Sequence, residues 1–393
     1  MKRLRMNERI TDRVAATIIQ IGGVAVVALV AAIVVGIAVG ALPLFSGATL
    51  GPVTVSTLPG SPAAVGWNPR VGQPWYLDSG GTVMGGGGDA LCRVEDLESP
   101  ILRAARSPGG VVALLDHGGL VHVGGVRFED RGSDSTEVSP AARWVSLTGP
   151  LALDDGVRWT GLAVNTANDG GVFAIVWSEK RIFGARWLAD LERWEEHALP
   201  AIYGVRAGDV GEGLETAALV SRDVALTILD LPDGTRELLD EPLSMVTQAS
   251  FLVGGRSLVA ATAGGEVQVL QRLRRVRVSN RSPRDVRVAA SVIPVGMAKI
   301  VPDDDVGRRL AHVPGIEIAP ADSVWQVVRR LPSLDAEPTC IAPGPRDRSF
   351  AVAGADGAVA LYHGTTGARR ILTSWPIAPV TAIVLADSGD ALV

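Results

Sequence analysis

The segment from Val14 to Leu42 is apolar throughout most of its length, has no charged residue and contains one polar amide, Gln20. An α-helix rises about 1.5 Å per residue, so roughly 20 apolar residues suffice to cross the hydrocarbon core of a bilayer. The segment is long enough for this, and Pro43 directly after it disfavours a continuing helix. We therefore expect one transmembrane helix over residues 14–42.

The charges beside the span predict its orientation. The residues before it are predominantly basic and include Lys2, Arg3, Arg5, Arg9 and Arg13. Because basic flanks stay in the cytoplasm, we expect a cytoplasmic tail over residues 1–13, a linker over 43–51 and an extracytoplasmic domain over 52–393. This corresponds to a single-span protein of the bacterial inner membrane with its large domain in the periplasm. A cleavable signal peptide is the competing interpretation, but its apolar core is normally only about 7–15 residues long.

Small residues form a stripe in the second half of the span. Gly36 and Gly40 make a GxxxG motif, and Ala32 extends it by one turn. Such a stripe lets a second helix approach closely, so Gly36 and Gly40 are candidate helix-packing residues. Gly is also common in membrane helices in general, and both interpretations stay open.

Beyond the linker, the sequence is typical of short β-strands. Runs such as Val172–Trp177 alternate with turns that contain Gly, Asp, Asn or Pro, and helical periodicity is lacking. The turn Ala355-Asp356-Gly357 is a strong hairpin signal between two such runs. We therefore predict an all-β domain.

Units of four predicted strands recur along this domain. Comparable positions fall near residues 160, 202, 245, 339 and 380. Their spacing is about 40–47 residues, apart from one gap of about twice that length, which is the period of a β-propeller. With further units at 50–97 and 286–330, we expect a degenerate propeller of seven blades, with six or eight as alternatives. A pair of β-sandwiches would not explain the regular spacing.

The last predicted unit begins near Pro379 and contains a first strand, a turn and the start of a second strand. Half a blade would leave an open sheet edge. Either this strand pairs with the N-terminal segment near residues 52–57, or the last blade is truncated, which is the interpretation we favour.

The sequence shows no catalytic constellation. His117 and His122 have no Cys or His at a metal-ligand spacing nearby, and the run Gly85–Gly88 lacks the Lys-Ser/Thr ending of a phosphate-binding loop. We predict that the protein is not an enzyme and holds no cofactor or metal. Cys92 and Cys340 could pair in an oxidising compartment, but two cysteines do not make a disulfide framework.

A basic stretch is the clearest candidate for a contact surface. The chain as a whole has a net charge of −5, which argues against a nucleic-acid binder. The candidate contact residues are Arg272, Arg274, Arg275 and Arg277. They alternate in part with apolar residues, as on a strand with one solvated face, and could contact anionic lipid, an acidic partner protein or a phosphate-bearing ligand. A solvated outer strand without a ligand is the plain alternative.

The order of these features resembles a known family. A basic N-terminus with Thr11-Asp12-Arg13, a glycine-containing span, the exit Leu42-Pro43-Leu44-Phe45 and a degenerate propeller are similar to the N-terminal half of the enlarged phosphate ABC transporter permeases of bacteria. In that family a large propeller-like insertion follows the first span, and the membrane permease core follows the insertion. The resemblance covers essentially the whole chain and rests on the order of its parts and the character of the span.

The resemblance implies a role in inorganic phosphate import. The chain would be the anchor and propeller of a permease without the permease core, because no second apolar span follows. The implied partners are the rest of the permease, a second permease subunit, a cytoplasmic ATPase and a periplasmic phosphate-binding protein. No pore motif of the family has a counterpart here, so no binding residue is transferred. The alternative is a stand-alone, membrane-anchored propeller that acts as an interaction scaffold of the bacterial envelope.

Overall fold

The computed structural model describes residues 61–68, 72–129, 141–167, 169–278, 298–302, 316–345, 348–374 and 379–386. All of them belong to one compact unit, Val53–Val393. The predicted tail, span and linker, including Gly36 and Gly40, lie outside the described residues. Within the described ranges there is no helix long and apolar enough to cross a membrane.

The described secondary structure consists of β-strands, which form six sheets in chain order. Sheet 1 contains β1 (Ala64–Asn68), β2 (Gln73–Leu77), β3 (Thr82–Gly85) and β4 (Ala90–Arg93). Sheet 2 contains β5 (Ile101–Arg106), β6 (Val112–Asp116), β7 (Leu120–Glu129), β8 (Ala141–Ser146) and the short β9 (Leu151–Ala152). Sheet 3 contains β10 (Trp159–Thr166), β11 (Val172–Ser178), β12 (Ile182–Leu188) and β13 (Arg193–His197). Sheet 4 contains β14 (Val205–Val210), β15 (Thr216–Ser221), β16 (Leu226–Asp230) and β17 (Thr235–Arg236).

The last two sheets differ in the number and order of their strands. Sheet 5 contains β18 (Leu238–Leu239), β19 (Val246–Phe251), β20 (Ser257–Thr262), β21 (Val267–Val278), β22 (Ala298–Pro302) and β23 (Ile316–Leu331). Its spatial order is β18-β23-β21-β20-β19, and β22 also pairs with β21. Sheet 6 contains β24 (Pro338–Pro343), β25 (Ser349–Gly354), β26 (Ala358–His363) and β27 (Arg369–Ser374), paired in that order.

Burial decreases from the second strand of a sheet to the fourth. Every residue of β11, β15, β20 and β25 is buried, whereas both residues of β17 are exposed. Strands that are covered on both faces have continuous apolar runs instead of alternation. The run Val172–Trp177 is such a case, and its predicted strand is confirmed as β11.

The apolar cores lie between consecutive sheets. One cluster joins Leu77 of sheet 1 to Leu114 of sheet 2, and the next joins Leu115 of sheet 2 to Val176 of sheet 3. Three further clusters connect sheets 3 and 4, 4 and 5, and 5 and 6. The first strands of successive sheets also contact one another in chain order. Sheets stacked face to face in series around their first strands form a β-propeller, and the described part has six blades. Blade n is sheet n below.

The prediction of a blade at 286–330 is wrong. The described parts of that stretch are β22 and most of β23, and both pair with β21 of blade 5. From Val278↔Ile316 to Val267↔Leu331, β23 takes the place of a fourth strand. The doubled gap in the repeat is therefore an insertion between two strands of one blade, because residues with strand propensity can lengthen an existing sheet without starting another. The expected seven blades become six among the described residues.

Two smaller expectations have clear outcomes. The hairpin at Ala355-Asp356-Gly357 is confirmed, since it joins β25 to β26 with Gly357 at φ 83° and the amide of Ala358 donating to Asp356 Oδ1 at 2.9 Å.

Cys92 and Cys340 are both free thiols, so the disulfide considered from the sequence is not formed. Burial raises the pKa of the Cys340 thiol to about 11.

Tryptophan packed on glycine explains part of the high Trp content, nine in the chain. Gly66 pairs with Trp75 in blade 1, and Gly161 pairs with Trp177 in blade 3. A Cβ atom on Gly161 would lie 2.4 Å from Cε2 of Trp177, which is itself only 4% exposed. The absence of a side chain at residue 161 therefore lets the indole lie against the backbone of the neighbouring strand.

Gly161→Ala should destabilise the protein by about 1–3 kcal/mol, because the indole of Trp177 must move within a close-packed interior. The free energy of unfolding from chemical denaturation measures this. Gly156→Ala is the matched control, since its nearest neighbouring atom, Asp154 Oδ1, lies 3.6 Å from the added Cβ. Equal stability of the two variants would contradict the packing described.

Candidate functional site

Two strands of blade 5, β21 and β23, are longer than any strand of the other described blades. β20 pairs with β21 only over Val267–Gln271, yet β21 continues to Val278. Beyond that point β22 pairs with β21 on the side that β20 has left, and β23 pairs with it on the other side. We call this three-stranded extension, residues 273–278, 298–302 and 316–324, the blade 5 arm.

Three of the four candidate arginines lie in the middle strand of the arm. The register places Arg274 opposite Val301 and Ser323, and Arg277 opposite Ala298 and Glu317. These three arginines thus lie on a strand, and the solvated face stays a prediction.

Arg272 lies at the base of the arm in a different environment. Its side chain is 16% exposed, and its Nη2 atom lies 2.5 Å from Glu237 Oε1 and 3.2 Å from Asp230 Oδ2. Glu215 lies further out, at 3.8 Å from Nη1. The indole of Trp325 donates a hydrogen bond to the other carboxylate oxygen of Glu237. Carboxylates of the same chain therefore compensate the positive charge of Arg272.

This cluster joins two blades. Asp230 ends β16 and Glu237 follows β17, both in blade 4, whereas Arg272 on β21 and Trp325 on β23 belong to blade 5. The linker after Glu237 forms β18, which pairs in parallel with β23 at Val324 and Trp325. The side chain of Glu237 is 5% exposed, so its carboxylate depends on Arg272 and Trp325 for compensation in a poorly solvated place. The arm is consequently fixed to blade 4 at its base.

Sequence reasoning identified Arg272 but missed Glu237 and Trp325. These residues are separated by 35 to 88 positions along the chain and meet only because blades 4 and 5 stack. An acidic residue after a short strand carries no signal of such a contact. The predicted role of the four arginines in contacting an anion or a partner stays a prediction.

A cavity between blades is a second place where polar groups gather. A cavity of about 200 Å³ lies at the ends of the first strands, with Asn165 and Glu212 in its wall. The Asn165 amide donates to the carbonyl of Val210 at 2.7 Å, and Glu212 accepts from the amide of Gly254 at 2.6 Å. These side chains link neighbouring blades. Over the described ranges, no group of three or more His, Cys, Asp and Glu is placed to hold a metal.

Asp209 is a half-buried residue at the contact between the first strands of blades 4 and 5. It accepts hydrogen bonds from the Ser250 hydroxyl at 2.7 Å and from the amides of Phe251 and Val210, each at 2.8 Å. Burial raises the pKa of Asp209, and this effect outweighs the three donors, which favour the charged form. Asp209 therefore holds two blades together in a site that disfavours its charge.

Comparisons with known proteins give a limited result. No family model and no curated protein matches the chain. Among solved structures, the Dos1 propeller is 13% identical with a TM-score of 0.45, covering 81% of this chain and 71% of its own. The computationally designed Ika8 protein is 14% identical with a TM-score of 0.46, covering 82% of this chain and 77% of its own. The assignment of the propeller therefore rests on the sheets and their order.

Arg272→Met should lower the free energy of unfolding by about 3 kcal/mol, because it leaves Glu237 as an uncompensated buried charge. Chemical denaturation measures the loss. Adding Glu237→Gln should recover part of it, since the amide keeps an acceptor for the Trp325 indole and removes the charge. Strictly additive effects of the two substitutions would show that the side chains do not interact.

Asp209→Asn should have an effect on stability that depends on pH. A raised pKa in the folded state means that the contribution of Asp209 is present at low pH and is lost as pH rises through the folded-state pKa. The stability of the native protein relative to this variant should therefore fall as pH rises from about 4, the ordinary aspartate pKa, through the raised folded-state pKa. Asp233→Asn, an exposed change in the same blade, controls for net charge. A difference that is constant or rises over this range would contradict the assignment.

Proposed function

We propose that this propeller is an interaction platform and that the blade 5 arm is its contact element. The supporting observation is the arm itself. Blades 1, 3, 4 and 6 are plain four-stranded sheets, so a propeller blade does not require the extension of β21 and β23 beyond β20. Irregular additions to a rigid scaffold are where binding residues are commonly found.

The composition of the arm favours an acidic partner surface. Its basic residues are Arg274, Arg275, Arg277 and Lys299, against Glu317 and Asp322. The chain as a whole is acidic, so the arm is a local exception. Complementary charge across an interface speeds association and selects the partner. The anchoring of the arm base by Arg272, Glu237 and Trp325 supports this role, because a contact element that is held in place loses less conformational entropy on binding.

The sequence supports a membrane-bound location for this platform. From the apolar segment 14–42 and the basic residues before it, we propose that the propeller lies on the extracytoplasmic side of a bacterial inner membrane. In its finer form, the proposal is that the chain is the anchor and propeller of a phosphate ABC transporter permease. The arm would then contact the periplasmic phosphate-binding protein. This finer form rests on the sequence resemblance, and a stand-alone envelope scaffold is the alternative.

Replacing Arg274, Arg275 and Arg277 together with Gln should weaken binding of the detergent-solubilised full chain to a purified periplasmic phosphate-binding protein by about tenfold or more. Biolayer interferometry at low and high salt measures this. The native interaction should also weaken with salt, because exposed charges are screened. The control replaces Arg93, Arg158 and Arg193, exposed arginines of blades 1 and 3 and the linker before blade 3, with Gln.

The outcomes distinguish the general proposal, an interaction platform with a contact arm, from its finer form, a component of a phosphate transporter. Loss of binding in the arm variant but not in the control supports both levels. No binding by the native chain contradicts the transporter form. In-cell cross-linking from the arm, followed by mass spectrometry, then tests the platform. Cross-linked partners that are unchanged in the arm variant would contradict the role of the arm.

A further inference from the structure

The face of the propeller on which the first strands begin carries two exposed apolar side chains on neighbouring blades. Tyr203, two residues before β14, is 68% exposed, and Met245, directly before β19, is 54% exposed. They lie in the linkers that enter blades 4 and 5, which pack against each other. A single exposed apolar residue needs no explanation, whereas a contiguous apolar patch is typical of an interaction surface.

One turn connects these two residues. It lies between β15 and β16 and contains Arg222 and Val224. The amide of Arg222 donates to the carbonyl of the residue that follows Tyr203, at 2.8 Å. The carbonyl of Val224 accepts from the amide of the residue that follows Met245, at 2.9 Å. Tyr203, Val224 and Met245 therefore share one surface, which we call the seam patch.

Val224 has an unusual backbone conformation for its residue type. Its φ is 59°, and its amide donates to the carbonyl three residues earlier. Four other blades make this hydrogen bond in the same turn. Each of them has a glycine with φ between 82° and 84° at that position, namely Gly81, Gly119, Gly265 and Gly357. A positive φ is uncommon outside glycine and is an outlier for a β-branched residue.

Met245 repeats this pattern at the entry to blade 5. Its φ is 60°, whereas the residue directly before the first strand of blade 4 is Gly204, with a φ of 63°. The carbonyl of each accepts from the amide that follows its own blade's second strand, at 2.8 Å. Two left-handed positions that hold glycine in other blades thus hold apolar side chains in the seam patch. Strain of this kind is concentrated at functional sites.

The charges beside the seam patch are balanced. The adjacent turns of blades 3 and 4 contain two acidic and two basic residues, all exposed: Glu179, Lys180, Arg222 and Asp223. Arg222 Nη1 pairs with Glu179 Oε1 at 2.5 Å. A two-fold interface brings a surface against its own copy, so a surface with charges of one sign would repel itself. Balanced charges around apolar residues therefore suit a second copy of this chain.

We propose that the seam patch binds the seam patch of a second copy of this chain, with Tyr203 and Met245 as the central contacts. Two-fold symmetry brings the ring of Tyr203 in one copy to the thioether of Met245 in the other, which is a favourable sulfur–aromatic contact. The blade 5 arm stays free in this dimer. Because β19 and β21 both pair antiparallel with β20, β21 leaves the propeller at the opposite face.

Photo-cross-linking in the producing cells identifies what contacts the seam patch. Tyr203 of the full chain is replaced by p-benzoylphenylalanine, and the irradiated product is purified and analysed by mass spectrometry. It should be a dimer in which residue 203 is joined to the seam patch of the other copy. The control carries the cross-linker in place of Leu191, which is 54% exposed in the turn between β12 and β13 on the opposite face.

The control should give a dimer yield at least about tenfold lower, because cross-linking requires direct contact. Equal yields from the two positions would overturn the proposal. Cross-links from residue 203 to another protein or to lipid would also overturn it, since they would identify a different occupant of the seam patch.

Sedimentation equilibrium of the detergent-solubilised full chain measures the dissociation constant of the dimer. Tyr203→Ser with Met245→Gly should raise this constant at least about tenfold, because central aromatic residues contribute most to an interface. The variant should keep its stability to unfolding, since glycine suits the left-handed backbone at residue 245 as Gly204 does in blade 4. Leu191→Ser is the control and should leave the constant unchanged. A monomeric native chain, or a dimer that the double substitution does not weaken, would contradict the proposal.

Discussion

In blades 4 and 5, the side chain at the second residue of the first strand holds that blade to the next one. Arg206 and Thr247 both donate to a backbone carbonyl of the neighbouring first strand, although one is a long cation and the other a small hydroxyl. The acceptor is the same backbone group each time, so the contact depends on strand position more than on residue type. The apolar clusters between blades can form because the first strands are held in this order.

This arrangement explains why one blade can carry a large insertion. The parts of β21 and β23 that pack between blades, such as Val269 and Leu331, precede the arm on β21 and follow it on β23, and the arm is the continuation of these strands beyond β20. Lengthening β21 and β23 therefore leaves the centre of the propeller unchanged. At the base of the arm, the carboxylates of Glu237 and Asp230 in blade 4 compensate the positive charge of Arg272.

The alternation of strands and turns and the repeat length of the domain could be predicted from the sequence, because turns such as Ala355-Asp356-Gly357 depend on local residues. The number of blades could not, since a stretch with strand propensity at 286–330 either starts a blade or lengthens one, and only the pairing of β23 with β21 decides between them. The arginines of the arm were visible as a basic stretch. Arg272 differs from the arginines of the arm because it pairs with Glu237 where blade 4 stacks against blade 5, and the sequence does not reveal that stacking.

The most direct test of this account is the free energy of unfolding of a chain without the arm. Leu273 and Val324 are paired across β21 and β23, so an Asn-Gly turn can replace residues 274–323. If these residues are an insertion in a six-bladed core, the shortened chain should unfold cooperatively with a stability within about 1 kcal/mol of the original. Loss of cooperative unfolding would mean that the deleted residues supply a blade of their own.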